Sequence, residues 1–344
     1  MAILSDRDIR RALETGRIKI EPDVLKIGPV SVDLRVNEIY HADMSKLYRN
    51  SGFPHMDVNE NFETQKRTMI SPYFTLEDGS WLIYPEGFFI GETYEHLTKS
   101  DVHVIVTSKS GWARRGVRAQ NYEHEGKFFD HLKPFSGPIP LGLKTMAFAK
   151  IRRDGDVAQV YFDDCTSGQS MGRDLKRIID QGHIKIYDQD GRLLPAEEVI
   201  SEDGRQIALR FSPEVKFYTG GIMESGKSSE PYFLECNFRM GELFYPPDSL
   251  YLGSTMERVV FDNTIMGFVE ERIPTHFNKL HANAGGIQAG FDGDITLEGI
   301  GYCGIPLQIG SKVIKMDIYP LTSPAEDVDA SRTFRGQRGA TPSR

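Results

Sequence analysis

The sequence predicts an all-β, or mainly β, fold made of two tandem copies of one module, each opened by a short helix. Three observations carry that expectation. The chain repeats itself, its apolar residues fall in short runs rich in β-branched and aromatic side chains, and Gly and Pro separate those runs. Short strands without long helices between them argue for sandwiches or barrels and against a doubly wound sheet.

The helix comes first in each copy. DRDIRRALETGRIKI at 6–20 matches GRDLKRIIDQGHIKI at 172–186, sharing Arg7/Arg173, Asp8/Asp174, Arg11/Arg177, Gly16/Gly182 and the Ile-Lys-Ile ending. Ser5-x-x-Asp8 supplies a cap, Ile9 and Leu13 lie one turn apart, and the glycine stops the helix. Downstream, SVDLRV (31–36) answers QIALRF (206–211), and YPEGFFIGETYE (84–95) answers YPPDSLYLGSTME (245–257), one residue longer. FSGPIPLGL (135–143) then answers FDGDITLEG (291–299). Matches that keep their order mark a duplicated module.

Strands follow the helix in both copies. SWLIYP, DVHVIVTS, TMAFAKI and DVAQVYF belong to the first, YFLECNF, SLYLGST, DITLEGI and VIKMDIYP to the second. Between them CTSGQSMG, around residues 165–171, is polar and lacks hydrophobic periodicity, so the expected modules are 1–168 and 169–344.

A chain of 344 residues is long enough for two domains with their own cores. With 39% hydrophobic and 26% charged residues and no apolar run long enough to cross a bilayer, no membrane association is expected. The N-terminus reaches charge at Asp6 and has no secretory-signal core, so the expected location is cytoplasmic. Cys165, Cys236 and Cys303 are few, odd in number and far apart, which suits reduced thiols. A net charge of -8 argues against broad capture of nucleic acid. An anionic ligand must therefore meet local positive charge, found at Lys109, Arg114, Arg115 and Arg118 and in the tail at Arg332, Arg335, Arg338 and Arg344.

Two stretches can carry chemistry. TSKSGWARRGVRAQ follows an alternating strand and combines the Ser110 hydroxyl, the Gly111 backbone and the Arg114 guanidinium, the groups a polyphosphate needs. A solvated basic turn would read the same way. HANAGGIQAGFDGDITLEG sets a glycine-rich turn before a strand on which Asp294, Thr296 and Glu298 share one face and Ile295 and Leu297 the other. An exposed strand glutamate would also fit that pattern. Comparison of the copies is more telling. Glu298 stands opposite Gly142, and the counterpart of SKSGWARRG is EERIPTHFN, which has no Ser followed four residues later by Arg. Each copy has what the other lacks, as expected of one composite site.

The opening ILSDRDIRRALETGRIKIEP with SVDLRV, the SKSGWARRGV and AGGIQAGFDGDITLEG stretches and the tail TFRGQRGATPSR resemble the dCTP deaminases of the dUTPase-like superfamily, here in a two-module form. The resemblance spans nearly the whole chain. It implies a distorted β-barrel or jelly-roll module, sites at module interfaces, and deamination of dCTP to dUTP and ammonia in deoxynucleotide metabolism. By the same resemblance Glu298 is the catalytic residue, Ser110, Gly111 and Arg114 bind phosphates with Lys109 beside them, and Ala284 and Gly285 present backbone groups to cytosine. Phe291 faces the deoxyribose, Gln288 and Thr296 line the nucleoside pocket, and Arg335 and Gln337 belong to a tail that closes on the nucleotide. Gln288 departs from the family, which usually has Asp there, and so does Arg332 before Thr333, where lysine is common.

The expected chemistry is removal by Glu298 of a proton from a water that attacks C4 of cytosine, followed by protonation of the departing N4. Mg2+ accompanies the triphosphate, and no zinc is expected, because the H-x-E and P-C-x-x-C patterns of zinc deaminases do not occur. His276 and His281 read as loop residues. Alternatives are a dUTP diphosphatase, a bifunctional enzyme, and a non-catalytic nucleotide-binding protein. A homo-oligomer is expected, and dTTP as inhibitor is a further expectation of the resemblance.

Overall fold

In the computed structural model the described residues are 2–22, 25–42, 70–73, 75–85, 87–121, 137–164, 174–238, 241–243, 249–270, 286–300, 307–312, 314–328 and 336–343. Helix α1 (Asp6–Glu14) precedes β1 (Ile18–Glu21), β2 (Val32–Ala42), β3 (Ile70–Pro72), β4 (Trp81–Ile83), β5 (Phe88–Ser100) and β6 (His103–Ser108). A short helix α2 (Ser110–Ala113) leads to β7 (Val117–Asn121), β8 (Gly137–Thr145), β9 (Phe148–Ile151) and β10 (Asp156–Asp163). The second half runs through α3 (Leu175–Asp180), β11 (Ile184–Tyr187), α4 (Ala196–Val199), β12 (Ile207–Leu209), β13 (Glu214–Tyr218) and β14 (Ile222–Glu224). It continues with β15 (Phe233–Asn237), β16 (Gly241–Leu243), β17 (Leu250–Phe261), β18 (Ile265–Glu270), β19 (Gly286–Ile287), β20 (Asp292–Ile300), β21 (Leu307–Ile309) and β22 (Ile314–Pro320).

The expected mainly β fold is what forms. In the first half β5, β8, β7, β6, β10 and β2 pair in sequence, and β2 pairs back with β5, so the sheet closes into a barrel. Register shifts in β2, β5 and β10 are the bulges that bend long strands around such a ring. Leu34, Phe89, Val104, Leu141 and Val160 fill it, all nearly inaccessible to solvent. The second half is divided among smaller sheets around a core of Leu209, Phe211, Val215, Tyr251, Leu297 and Met316.

Matching hydrogen bonds accompany the sequence repeat. Arg35 donates to Glu95 from its backbone N (2.7 Å) and Nε (2.6 Å), and Arg210 donates to Glu257 in the same way (2.8 and 2.5 Å). Thr93 Oγ1 accepts from Ile139 N and donates to Glu95 O, as Thr255 does with Ile295 and Glu257. Each half therefore bends its long strand around the same polar pin.

The halves share a third core of Ile3, Val30, Ile105, Tyr161, Met266, Phe268 and Tyr319, in which the rings of Tyr161 and Phe268 meet edge-on at 5.3 Å. Polar contacts reinforce it. Asp6 accepts the backbone N–H groups of Glu326 and Asp327, Asp8 accepts the hydroxyls of Thr322 and Ser323, and β9 pairs parallel with β14. Among the described residues no helix is long and apolar enough to cross a membrane. Cys236 is a free thiol, while Cys165, Cys303, His276 and His281 lie outside the described residues.

Candidate active site

A cavity of about 230 Å³ lies beside the shared core. The first half contributes Lys26, Ile27, Gly28, Ser31, Asp33, Lys109, Ser110, Gly111, Arg114 and Gln159 to its wall. Gly286, Ile287, Gln288, Phe291, Ile295, Thr296 and Gln337 come from the second. Both halves thus meet around one cavity within one chain. Of the residues singled out in sequence, Lys109, Ser110, Gly111, Arg114, Gln288, Phe291, Thr296 and Gln337 are brought together there. Ala284, Gly285 and Arg335 lie outside the described residues.

Ser110 opens α2, which starts where β6 ends, so the phosphate-type stretch forms a helical turn and not an open loop. Gly111 sits in a tight place: a Cβ there would lie 3.3 Å from both Arg115 Nη1 and Ser343 Oγ, so those side chains would have to give by a few tenths of an ångström. Lys109 directs Nζ to Asp33 (2.6 Å) and Asp156 (3.3 Å), and Lys26 reaches the same two carboxylates. Two cations and two anions are thus in contact, of which Lys26, Lys109 and Asp33 line the cavity.

Glu298 lies on β20 opposite Leu252 of β17 and is completely buried, which removes the alternative of an exposed strand residue. It stands behind the cavity wall and is joined to it by Arg114, whose Nε is 3.9 Å from Glu298 Oε1. Arg114 is also buried. Its Nη1 donates to Thr341 O (3.0 Å) and its Nη2 to Gln337 Oε1 (2.9 Å). Burial pulls the guanidinium from its ordinary 12.5 down to about 10, and the attraction of Glu298 offsets only part of that penalty. The group remains a cation at neutral pH.

The face carrying Asp294 and Thr296 receives the chain's last segment. Gln337 bridges to Gly293, Gly339 N donates to Asp294 (2.9 Å), and Thr341 N donates to Thr296 Oγ1 (3.4 Å). Burial raises the Asp294 carboxyl, against the Gly339 hydrogen bond and the charges of Arg338 and Arg258.

Gln288 belongs to an amide relay across the halves. Its Nε2 donates to Ser31 Oγ and Gln159 Oε1, both at 3.3 Å, while Gln159 Nε2 donates to the carbonyl of Ser108 (3.4 Å). That carbonyl accepts only, so it fixes which way each amide points. Sequence reading missed Ser31, Asp33 and Gln159. The contrast between copies contained a signal: Asp33 stands where the second copy has Ala208, just as Glu298 stands where the first has Gly142.

Among the described residues no group of three or more His, Cys, Asp or Glu is placed to hold a metal ion.

Comparison with known proteins agrees with this architecture. The family model described as dCTP deaminase-like matches residues 3–165 and again 171–316. A dCTP deaminase, dUMP-forming, of Kocuria rhizophila is 31% identical over 153 residues, covering 44% of this chain and 72% of that protein. The protein of the same description from Methanosphaera stadtmanae is 34% identical over 120 residues, covering 34% and 57%. The crystal structure of 2'-deoxycytidine 5'-triphosphate deaminase from Agrobacterium tumefaciens superposes with a TM-score of 0.72 at 16% identity, over 93% of this chain and 99% of that one, a likeness of fold. With the family model matched in both halves, the chain belongs to the dCTP deaminase-like family.

Proposed function

We propose that the chain is a hydrolase that deaminates dCTP, supplied with Mg2+ on its triphosphate, to dUTP and ammonia. The observation that carries this reading is a fully buried glutamate of one half joined, through a buried arginine of the other, to a cavity lined by both. Membership of the family and the printed names of its relatives support the substrate. The modules are 1–168 and 169–344.

On this reading Glu298 is the base. It removes a proton from water as the oxygen bonds to C4 of cytosine, and the proton then goes to N4, which leaves as ammonia. Glu298 is buried here, so the Arg114 guanidinium must shift to admit C4 and the water. Ser110 and the Gly111 backbone hold phosphate oxygens, and Lys109 joins them by exchanging Asp33 and Asp156 for phosphate. Phe291 packs against the sugar, and Thr296 and Gln337 close the wall. Ala284 and Gly285 meet the cytosine edge, and Arg335 belongs to the closing tail. The mechanism uses a glutamate and water, without zinc.

A second reading, formation of dUMP, is favoured by the relatives' description as dUMP-forming. Gln288 speaks against it. Its side-chain amide is fixed by Ser31 and Gln159 and cannot serve as a base toward an attacking water. Product analysis with dCTP and Mg2+ separates the two. Ammonia and dUTP in equal amounts are expected, dUMP with pyrophosphate would establish the second reading, and no ammonia would overturn both.

A further inference from the structure

Arg115 is not used by this chemistry, yet it is as buried as its neighbour, both at 4% exposure. Its side chain makes three hydrogen bonds to three separate segments: Nη1 to Gly111 O (2.8 Å) and Ser343 Oγ (2.5 Å), and Nη2 to Lys227 O (2.7 Å). The ring of Trp112 lies beneath it, with the guanidinium carbon 5.5 Å from the centroid. Ser343 is held a second time. Its N–H donates to Ser229 Oγ (2.8 Å), and its carbonyl accepts from Ser229 N (2.8 Å) and Oγ (3.1 Å). The end of the chain is thus fastened between α2 and the segment around Ser229. Just before this clasp the tail carries Gln337 and Thr341, which both accept hydrogen bonds from Arg114, and Gln337 also lines the cavity.

We propose that Arg115 is a positioning residue for nucleotide binding: it clasps Ser343 so that the tail wall, with Gln337 and Thr341 against Arg114, is assembled before the nucleotide arrives. The inference rests on the nucleotide reading of the cavity. A wall already in place spares the ligand the cost of ordering it, and apparent affinity falls in proportion to the fraction of molecules with the wall assembled. Once saturated, the nucleotide holds the tail itself, so the chemical step is little affected. The clasp therefore acts on KM and not on kcat. Burial draws the Arg115 guanidinium down to about 10, and it remains charged at neutral pH.

The test compares the full chain with Arg115→Met, Arg115→Lys and a variant lacking residues 343–344, which leaves the buried α2 untouched. Charge-assisted hydrogen bonds of this kind predict a rise in KM for Mg-dCTP of roughly ten- to a hundredfold in Arg115→Met and in the truncation, with kcat within about threefold. Arg115→Lys restores part of the loss. Carboxypeptidase digestion without nucleotide gives a readout independent of activity: the full chain resists, while Arg115→Met is trimmed toward Gln337. The proposal is overturned if the tail of Arg115→Met stays resistant, if KM is unchanged in both the Met and truncated proteins, or if kcat falls while KM holds. A native protein that releases no ammonia would instead sink the deaminase reading, and the digestion would still decide whether Arg115 anchors the tail.

Discussion

Replacing Glu298 by Gln keeps the shape of the side chain and removes its charge, so the change isolates the electrostatics of the buried pair. Arg114 Nε lies 3.9 Å from Glu298 Oε1, and both side chains are buried. At that separation, with the effective dielectric that describes protein sites, the attraction is about 4 kcal/mol. The desolvation that draws Arg114 down to about 10 works against it, so the pair need not stabilise the fold as a whole. What must appear is coupling. A double-mutant cycle of Glu298→Gln and Arg114→Met, read by urea unfolding, should give an interaction of about 2–4 kcal/mol, the double variant being more stable than the sum of the single losses implies. Each single change strands a buried group, and the double change removes both. A coupling below about 0.5 kcal/mol would refute the account of these residues as one electrostatic unit.

Other consequences can be checked separately. Glu95→Gln and Glu257→Gln should each cost about 2–3 kcal/mol in unfolding and agree within about 1 kcal/mol, because the two pins have matching donors; strongly unequal losses would contradict that equivalence. Gln288→Asp places a carboxylate against Ser31 and Gln159 and should make pyrophosphate a measurable product from dCTP; a native protein that already releases pyrophosphate would contradict the role given to Gln288. Asp294 is raised above its usual 3.8, chiefly by burial, so its contribution to stability is complete below 3.8 and lost as pH rises through the folded value. Asp294→Asn should therefore flatten the pH dependence of stability across that window, which urea midpoints at about pH 4 and about pH 7 will show.

The repeat made the β architecture legible, because apolar alternation and glycine punctuation are local properties that survive in each copy. All eight strand segments read from sequence contain strands, and the helix expected after Ser5 and before Gly16 forms as Asp6–Glu14 with Ser5 as its cap. Glu298 was legible from its contrast with Gly142, and Asp33 against Ala208 carried the same kind of signal. Arg114 was legible as a basic residue beside Ser110, but its hydrogen bonds to Gln337 and Thr341 of the distant tail were not. That contact, the Arg115 clasp and the Gln288 relay join segments more than a hundred residues apart. No periodicity or spacing within any one segment encodes them. Long-range packing decides such contacts.

On this reading one chain supplies both sides of one catalytic site. Ammonia release from Mg-dCTP by the native protein, by Glu298→Gln, by Arg114→Met and by an equimolar mixture of the two variants is the decisive measurement. Ammonia is expected from the native protein, with loss of activity in both variants and in their mixture, because every assembled cavity in the mixture still lacks one partner. Recovery in the mixture would place the site between chains, and full activity of Glu298→Gln would remove Glu298 from the chemistry.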